Sequence, residues 1–167
     1  QFLSELFDEV LNCNKTKIVI LGATSGDTGS AALEAFKKKL NTDIFILFPN
    51  NKVSSVQRKQ MTSINAKGAH ALAINTDFDG CQKIVKSLFN DINFKDRVSL
   101  SAINSINWGR LVPQVVYYFF AGLKLGAPQR KISFSVPTGN FGNILAGWIA
   151  KKMGLPIDKL ICGSNKN

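Results

Sequence analysis

The chain has 167 residues, 45% of them hydrophobic and 19% charged, a composition that excludes a disordered or low-complexity protein. No apolar run approaches the roughly 20 residues that a membrane span needs, so no membrane role is expected. The net charge of +10 comes from lysines placed singly or in short groups such as Lys37-Lys38-Lys39, without a basic stripe interleaved with aromatics, which argues against a nucleic-acid partner and leaves solvated surface lysines as the first reading and attraction of a phosphorylated substrate as the second.

In chain order, apolar residues at Phe2, Leu3, Leu6, Phe7, Val10 and Leu11 predict a helix, entered from Gln1 without a capping side chain or a signal peptide. Strands then alternate with helices. Strand 17–21 precedes helix 28–40, strand 43–48 precedes helix 54–64, and strand 69–74 precedes helix 78–89. Strand 98–102 leads through Asn104–Trp108 into a long helix ending at Leu125, strand 131–136 precedes helix 142–153, and residues 160–162 form a last strand. Repeated βα units joined by short loops mean an α/β fold: three layers, parallel sheets with helices on both faces. Right-handed crossovers put the loops that follow the strands on one edge, where ligands bind.

Two glycine-rich loops stand on that edge. Gly22-Ala23-Thr24-Ser25-Gly26-Asp27-Thr28-Gly29-Ser30 and Pro137-Thr138-Gly139-Asn140-Phe141-Gly142-Asn143 each follow a strand and open a helix. That arrangement aims backbone N–H groups at an anion. The first loop lacks the Gly-Lys-Ser/Thr ending of a nucleotide P-loop, and its glycines are spaced too widely for a dinucleotide fingerprint. Two cradles in one chain predict two anionic groups, such as a phosphorylated cofactor and an anionic substrate. A plain tight turn remains the competing reading of either loop taken alone.

These two loops, the stretch from Pro49 to Gln60-Met61, and Asn104-Ser105-Ile106-Asn107-Trp108 with Arg110 together resemble the motifs of the threonine synthases, in the family's order along nearly the whole chain. That family belongs to the tryptophan-synthase-β-like, fold type II pyridoxal-phosphate enzymes. Asp27, where relatives usually carry Asn, resembles the threonine synthase type. The resemblance implies conversion of O-phospho-L-homoserine and water to L-threonine and phosphate, with pyridoxal 5'-phosphate as cofactor and a small-molecule substrate as partner. It implies that Thr138, Gly139, Asn140, Phe141, Gly142 and Asn143 hold the cofactor phosphate, with Asp27 near the ring hydroxyl. Thr24, Ser25, Gly26 and Thr28 would take the substrate's α-carboxylate, and Asn104, Ser105, Asn107 and Arg110 its phosphate. The phosphate role of Arg110 rests on the chemistry of guanidinium, and the competing reading is a solvated surface arginine of the helix.

The same resemblance implies two domains, 1–105 from the smaller N-terminal domain and 106–167 from the start of the larger cofactor domain, with the active site between them. It places the Schiff-base lysine before Gln1, so this stretch is expected to be an internal piece, inactive alone. A threonine dehydratase relative, or a non-catalytic phosphometabolite-binding module, are the alternative functions. Cys13, Cys81 and Cys162 are odd in number, lack metal-ligand spacing and read as reduced thiols of a cytoplasmic protein. His70 is expected to be structural or exposed. Trp108 and Trp148 are expected in core or interface packing, and Tyr117, Tyr118, Phe119 and Phe120 to be buried bulk.

Overall fold

The computed structural model describes residues 1–24, 26–103, 107–137 and 141–163, which divide into two compact units, Gln1–Asn104 and Ser105–Asn167. The first unit runs α1 (Phe2–Asn14), β1 (Ile18–Ala23), α2 (Asp27–Phe36), β2 (Thr42–Pro49), α3 (Ser55–Thr62), β3 (Ala69–Ile74), α4 (Phe78–Asn90), α5 (Ile92–Arg97) and β4 (Leu100–Ala102). Its four strands form one parallel sheet in the order β3-β2-β1-β4.

Successive strand residues face opposite sides, and this sheet is apolar on both. Ile20, Ile44, Ile46 and Phe48 join Ala32, Leu33 and Phe36 of α2 and Met61 of α3 in one core. Leu21 and Leu47, one residue out of phase, join Cys81 of α4 and Leu100 in the other. Helices therefore cover both faces, as the unbroken apolar runs of β1 and β2 predict. Each fully buried Leu, Ile or Phe contributes roughly 1.5–3 kcal/mol. Four helix starts carry their own caps. Ser54, Asp77, Asp91 and Asn107 accept from the backbone N–H of Gln57, Gly80, Phe94 and Gly109.

The second unit contains α6 (Trp108–Lys124), β5 (Ile132–Pro137), α7 (Gly142–Lys152) and β6 (Ile157–Gly163). β5 and β6 pair in parallel, and Leu111, Val115, Tyr118, Ala146, Ala150 and Ile157 are among the residues of its core.

Several expectations are corrected. α2 ends at Phe36, so the three lysines lie beyond the helix; Lys39 reaches back to α1, 2.7 Å from Glu5 and 3.3 Å from Asp8. α5 was not predicted at all, and β6 begins three residues earlier than expected. Trp108 and Trp148 are 66% and 50% exposed, which removes the core half of their reading and leaves interface packing, and of the four consecutive aromatics only Tyr118 is buried, with Tyr117 and Phe120 at 70% and 64%. A helix turns 100° per residue, so one stripe faces a core and four adjacent side chains cannot. His70 is exposed and stacks on Phe45, ring centroids 4.6 Å apart.

Candidate active site

In the first unit the chain steps outward from β1 to β2 to β3, then returns to lay β4 on the other edge of β1. The order reverses at β1, and a ligand crevice in an open parallel sheet lies at that reversal, outside the carboxyl ends of the strands. The first glycine loop leaves β1 at this point.

Thr24 builds that loop. Its side chain is buried; the hydroxyl donates to the Gly26 carbonyl at 3.1 Å and accepts from the N–H groups of Gly26 at 3.1 Å and Gly29 at 3.2 Å. One donor and two acceptors exhaust a hydroxyl. Thr24 is thus a brace of the loop, where the sequence placed it among the substrate ligands. Gly26 caps α2, Asp27 is its first residue, and Thr28 follows in the same open turn. A carboxylate at a helix N-terminus is favoured by the helix dipole. Gln57, from α3, donates through Nε2 to Asp27 Oδ1 at 3.3 Å. Sequence reasoning did not single out Gln57; it lay within the stretch from Pro49 to Gln60-Met61, three residues after Ser54, with no role attached to it.

In the second unit Asn107 caps α6, its Oδ1 accepting from Gly109 N–H at 2.8 Å. Arg110 sits in the same first turn. Its Nη1 is buried and has no hydrogen-bond partner among the described residues, and burial pushes the guanidinium below the usual arginine value. A cation at a helix N-terminus opposes the dipole, and a buried N–H without a partner is costly. The guanidinium is thus partly buried at this helix start, and an anion there would relieve both penalties. The start of α7 offers a second such position. Phe141 holds a left-handed backbone, φ 61°, as its cap, with buried Gly142 next and Asn143 exposed. A bulky residue with positive φ is strained, and strain of this kind collects at ligand sites. Tyr118 pins this turn, its hydroxyl donating to the Asn143 carbonyl at 2.7 Å.

Ser25, Asn104, Ser105, Thr138, Gly139 and Asn140 lie outside the described residues. A cavity of about 350 Å³ in the second unit is lined by Tyr117, Tyr118, Phe134, Pro137 and Asn143 among others, without a charged side chain. Among the described residues no cluster of His, Cys, Asp or Glu could hold a metal ion, and no helix is long and apolar enough to cross a membrane.

No family model matches the sequence. Individual proteins do. Threonine synthase of Pseudomonas aeruginosa is 53% identical over 167 residues, which is 100% of this chain and 36% of that protein. The solved threonine synthase of Brucella melitensis, described as bound to pyridoxal phosphate, superposes with a TM-score of 0.92 at 59% identity, over 97% of this chain and 35% of that one. The whole chain matches part of threonine synthase. The Escherichia coli threonine synthase structure agrees, with a TM-score of 0.82 and 37% identity over 98% of this chain and 39% of that one. The chain spans about a third of the length of the curated relatives it matches. A solved O-ureido-L-serine synthase variant, 15% identical with a TM-score of 0.67, shares the fold alone. The fold class read from the sequence is the one found.

Proposed function

We propose that this chain is part of a threonine synthase, which converts O-phospho-L-homoserine and water to L-threonine and phosphate with pyridoxal phosphate. The identity of 53% along the whole chain carries this reading. Residues 1–105 are assigned to the smaller domain and residues 106–167 to the start of the cofactor domain. A cytoplasmic location accompanies the assignment, as do a small-molecule substrate and the absence of a nucleic-acid partner.

The residues present fit a phosphorylated cofactor and a phosphorylated substrate. The strained cap at Phe141 opens a helix N-terminus of the kind that binds phosphate, and the buried unpaired Nη1 of Arg110 calls for an oxyanion. Thr138, Gly139, Asn140, Phe141, Gly142 and Asn143 are assigned to the cofactor phosphate, and Asp27 to its ring hydroxyl. Pyridoxal phosphate, when bound, supplies an electron sink for carbanions formed on the substrate. The rest is the work of side chains and amides. The turn at Ser25, Gly26 and Thr28, braced by Thr24, takes the α-carboxylate and fixes its orientation. Arg110, with Asn104, Ser105 and Asn107, holds the γ-phosphate and stabilises the charge that grows on it as it leaves.

The test is phosphate release from O-phosphohomoserine, with pyridoxal phosphate added, by the full reading frame that carries this chain. Phosphate and threonine in equal amounts are expected. Cofactor binding without release would replace this reading with another elimination enzyme, and no cofactor binding would replace it with a phosphometabolite-binding module.

A further inference from the structure

We propose that Gln57 is a positioning residue for Asp27: its side-chain amide spans from α3 to the first turn of α2 and holds one carboxylate oxygen in place. The inference rests on the reading above, in which Asp27 meets the cofactor's ring hydroxyl. Two contacts hold the amide and a third fixes the backbone of the same residue. Nε2 donates to Asp27 Oδ1 at 3.3 Å. Oε1 accepts from the Ser54 hydroxyl at 3.1 Å. The backbone N–H of Gln57 donates to the same hydroxyl oxygen at 3.2 Å. The orientation of the amide follows, because a flipped amide would turn its oxygen against a carboxylate.

Two further observations separate this from an ordinary helix start. Ser54-Ser55-Val56-Gln57 has the spacing of a capping box, in which Gln57 would bend back to the N–H of its own cap; here the side-chain amide reaches Asp27 on another helix instead. Gly26 leaves the room this requires, since a Cβ there would lie 2.6 Å from Nε2 and 3.2 Å from Cδ of Gln57. Its φ of 178° is open to any residue, so a side chain there would act by displacing the Gln57 amide from this place.

The chemistry favours a neutral donor. Asp27 is exposed, and an unheld aspartate samples several rotamers. A lysine or arginine partner would hold it but cancel its charge. An amide fixes Oδ1, leaves the carboxylate anionic and presents Oδ2 as the oxygen available to a hydroxyl donor.

The experiment uses the full reading frame, with pyridoxal phosphate as the probe, and follows the visible absorption of the bound cofactor across pH together with its dissociation constant. Gln57→Leu is expected to change the band's response to pH in the direction that Asp27→Asn does, and to weaken cofactor binding by roughly three- to tenfold. In an Asp27→Asn background Gln57→Leu is expected to add nothing, because its effect runs through that carboxylate. Gln57→Glu, nearly isosteric, guards against a folding defect; it sets two carboxylates together and should shift the spectrum with an unchanged melting temperature. Equal effects of Gln57→Leu in both backgrounds, or an unchanged spectrum in Gln57→Glu, would overturn the positioning role. A wild-type protein that binds no pyridoxal phosphate would instead remove the functional reading, and this inference with it.

Discussion

The Tyr118 hydroxyl donates to the Asn143 carbonyl across 25 residues of sequence, at 2.7 Å, joining the middle of α6 to the first turn of α7. The ring meets Phe134 edge to face at 4.9 Å and is 8% exposed, and burial pushes the phenol's pKa up, so it stays a neutral donor. Tyr118→Phe removes only the hydroxyl. It is expected to cost about 1 kcal/mol of stability, read as a lower urea midpoint at unchanged slope, and to speed amide exchange at the start of α7.

Gly147 is where α7 passes over that ring. A Cβ there would fall 2.7 Å from Cε1 of Tyr118 and 3.0 Å from Cδ2 of Leu160. Gly147→Ala is therefore expected to destabilise by about 1–3 kcal/mol through overpacking, outweighing its gain in helix propensity. Thermal unfolding checks this, and a Gly147→Ala protein as stable as the parent would refute it.

Arg110 is predicted to trade stability for binding. Its buried Nη1 lacks a partner, so Arg110→Met should leave stability unchanged or raise it by up to about 1 kcal/mol. The same change is expected to lower kcat/KM for O-phosphohomoserine by roughly 10- to 100-fold, as lost charge-assisted hydrogen bonds to phosphate do. Denaturation curves and steady-state kinetics on one preparation read both halves.

Lys39 ties α1 to the end of α2, and its hydrogen bond to Glu5, followed by that to Asp8, holds its pKa above the ordinary lysine value. A raised amine contributes stability that is complete below the unfolded-state value, near 10.4, and is lost as pH rises through the folded one. Lys39→Met should therefore lower stability at pH 7 by about 0.5–1 kcal/mol, and the difference from the parent should vanish above the folded pKa. Hydrogen exchange of the α1 amides localises the effect.

The sheet was legible in the sequence because β1 and β2 are apolar on both faces and end at turns, a pattern that fits a covered parallel sheet and little else. α5 escaped because six residues are too few to display a helical period, although Asp91 caps it as a longer helix would be capped. The exposed face of α6 escaped because its aromatics run all round the helix, and only packing decides which stripe is covered. In the candidate site, Asp27, Asn107 and Arg110 could be singled out through the resemblance and the chemistry of their side chains. Gln57 and Tyr118 could not, because each acquires its meaning from a partner 25 to 30 residues away.

The placement of β4 has a consequence for how the chain comes to be folded. Val19 of β1 pairs with Leu100, while its other neighbour β2 begins at Thr42. During synthesis β1, β2 and β3 can assemble as soon as they emerge. The remaining edge of β1 pairs with a strand roughly 80 residues further on and must wait for about 26 residues beyond β3, a few seconds at ordinary elongation rates. Closing so long a loop is also the slow, entropically unfavourable step in joining distant strands. The crevice at the strand reversal is therefore the last part of the first unit to form, so a nascent chain already holding most of its core has no binding site until β4 docks.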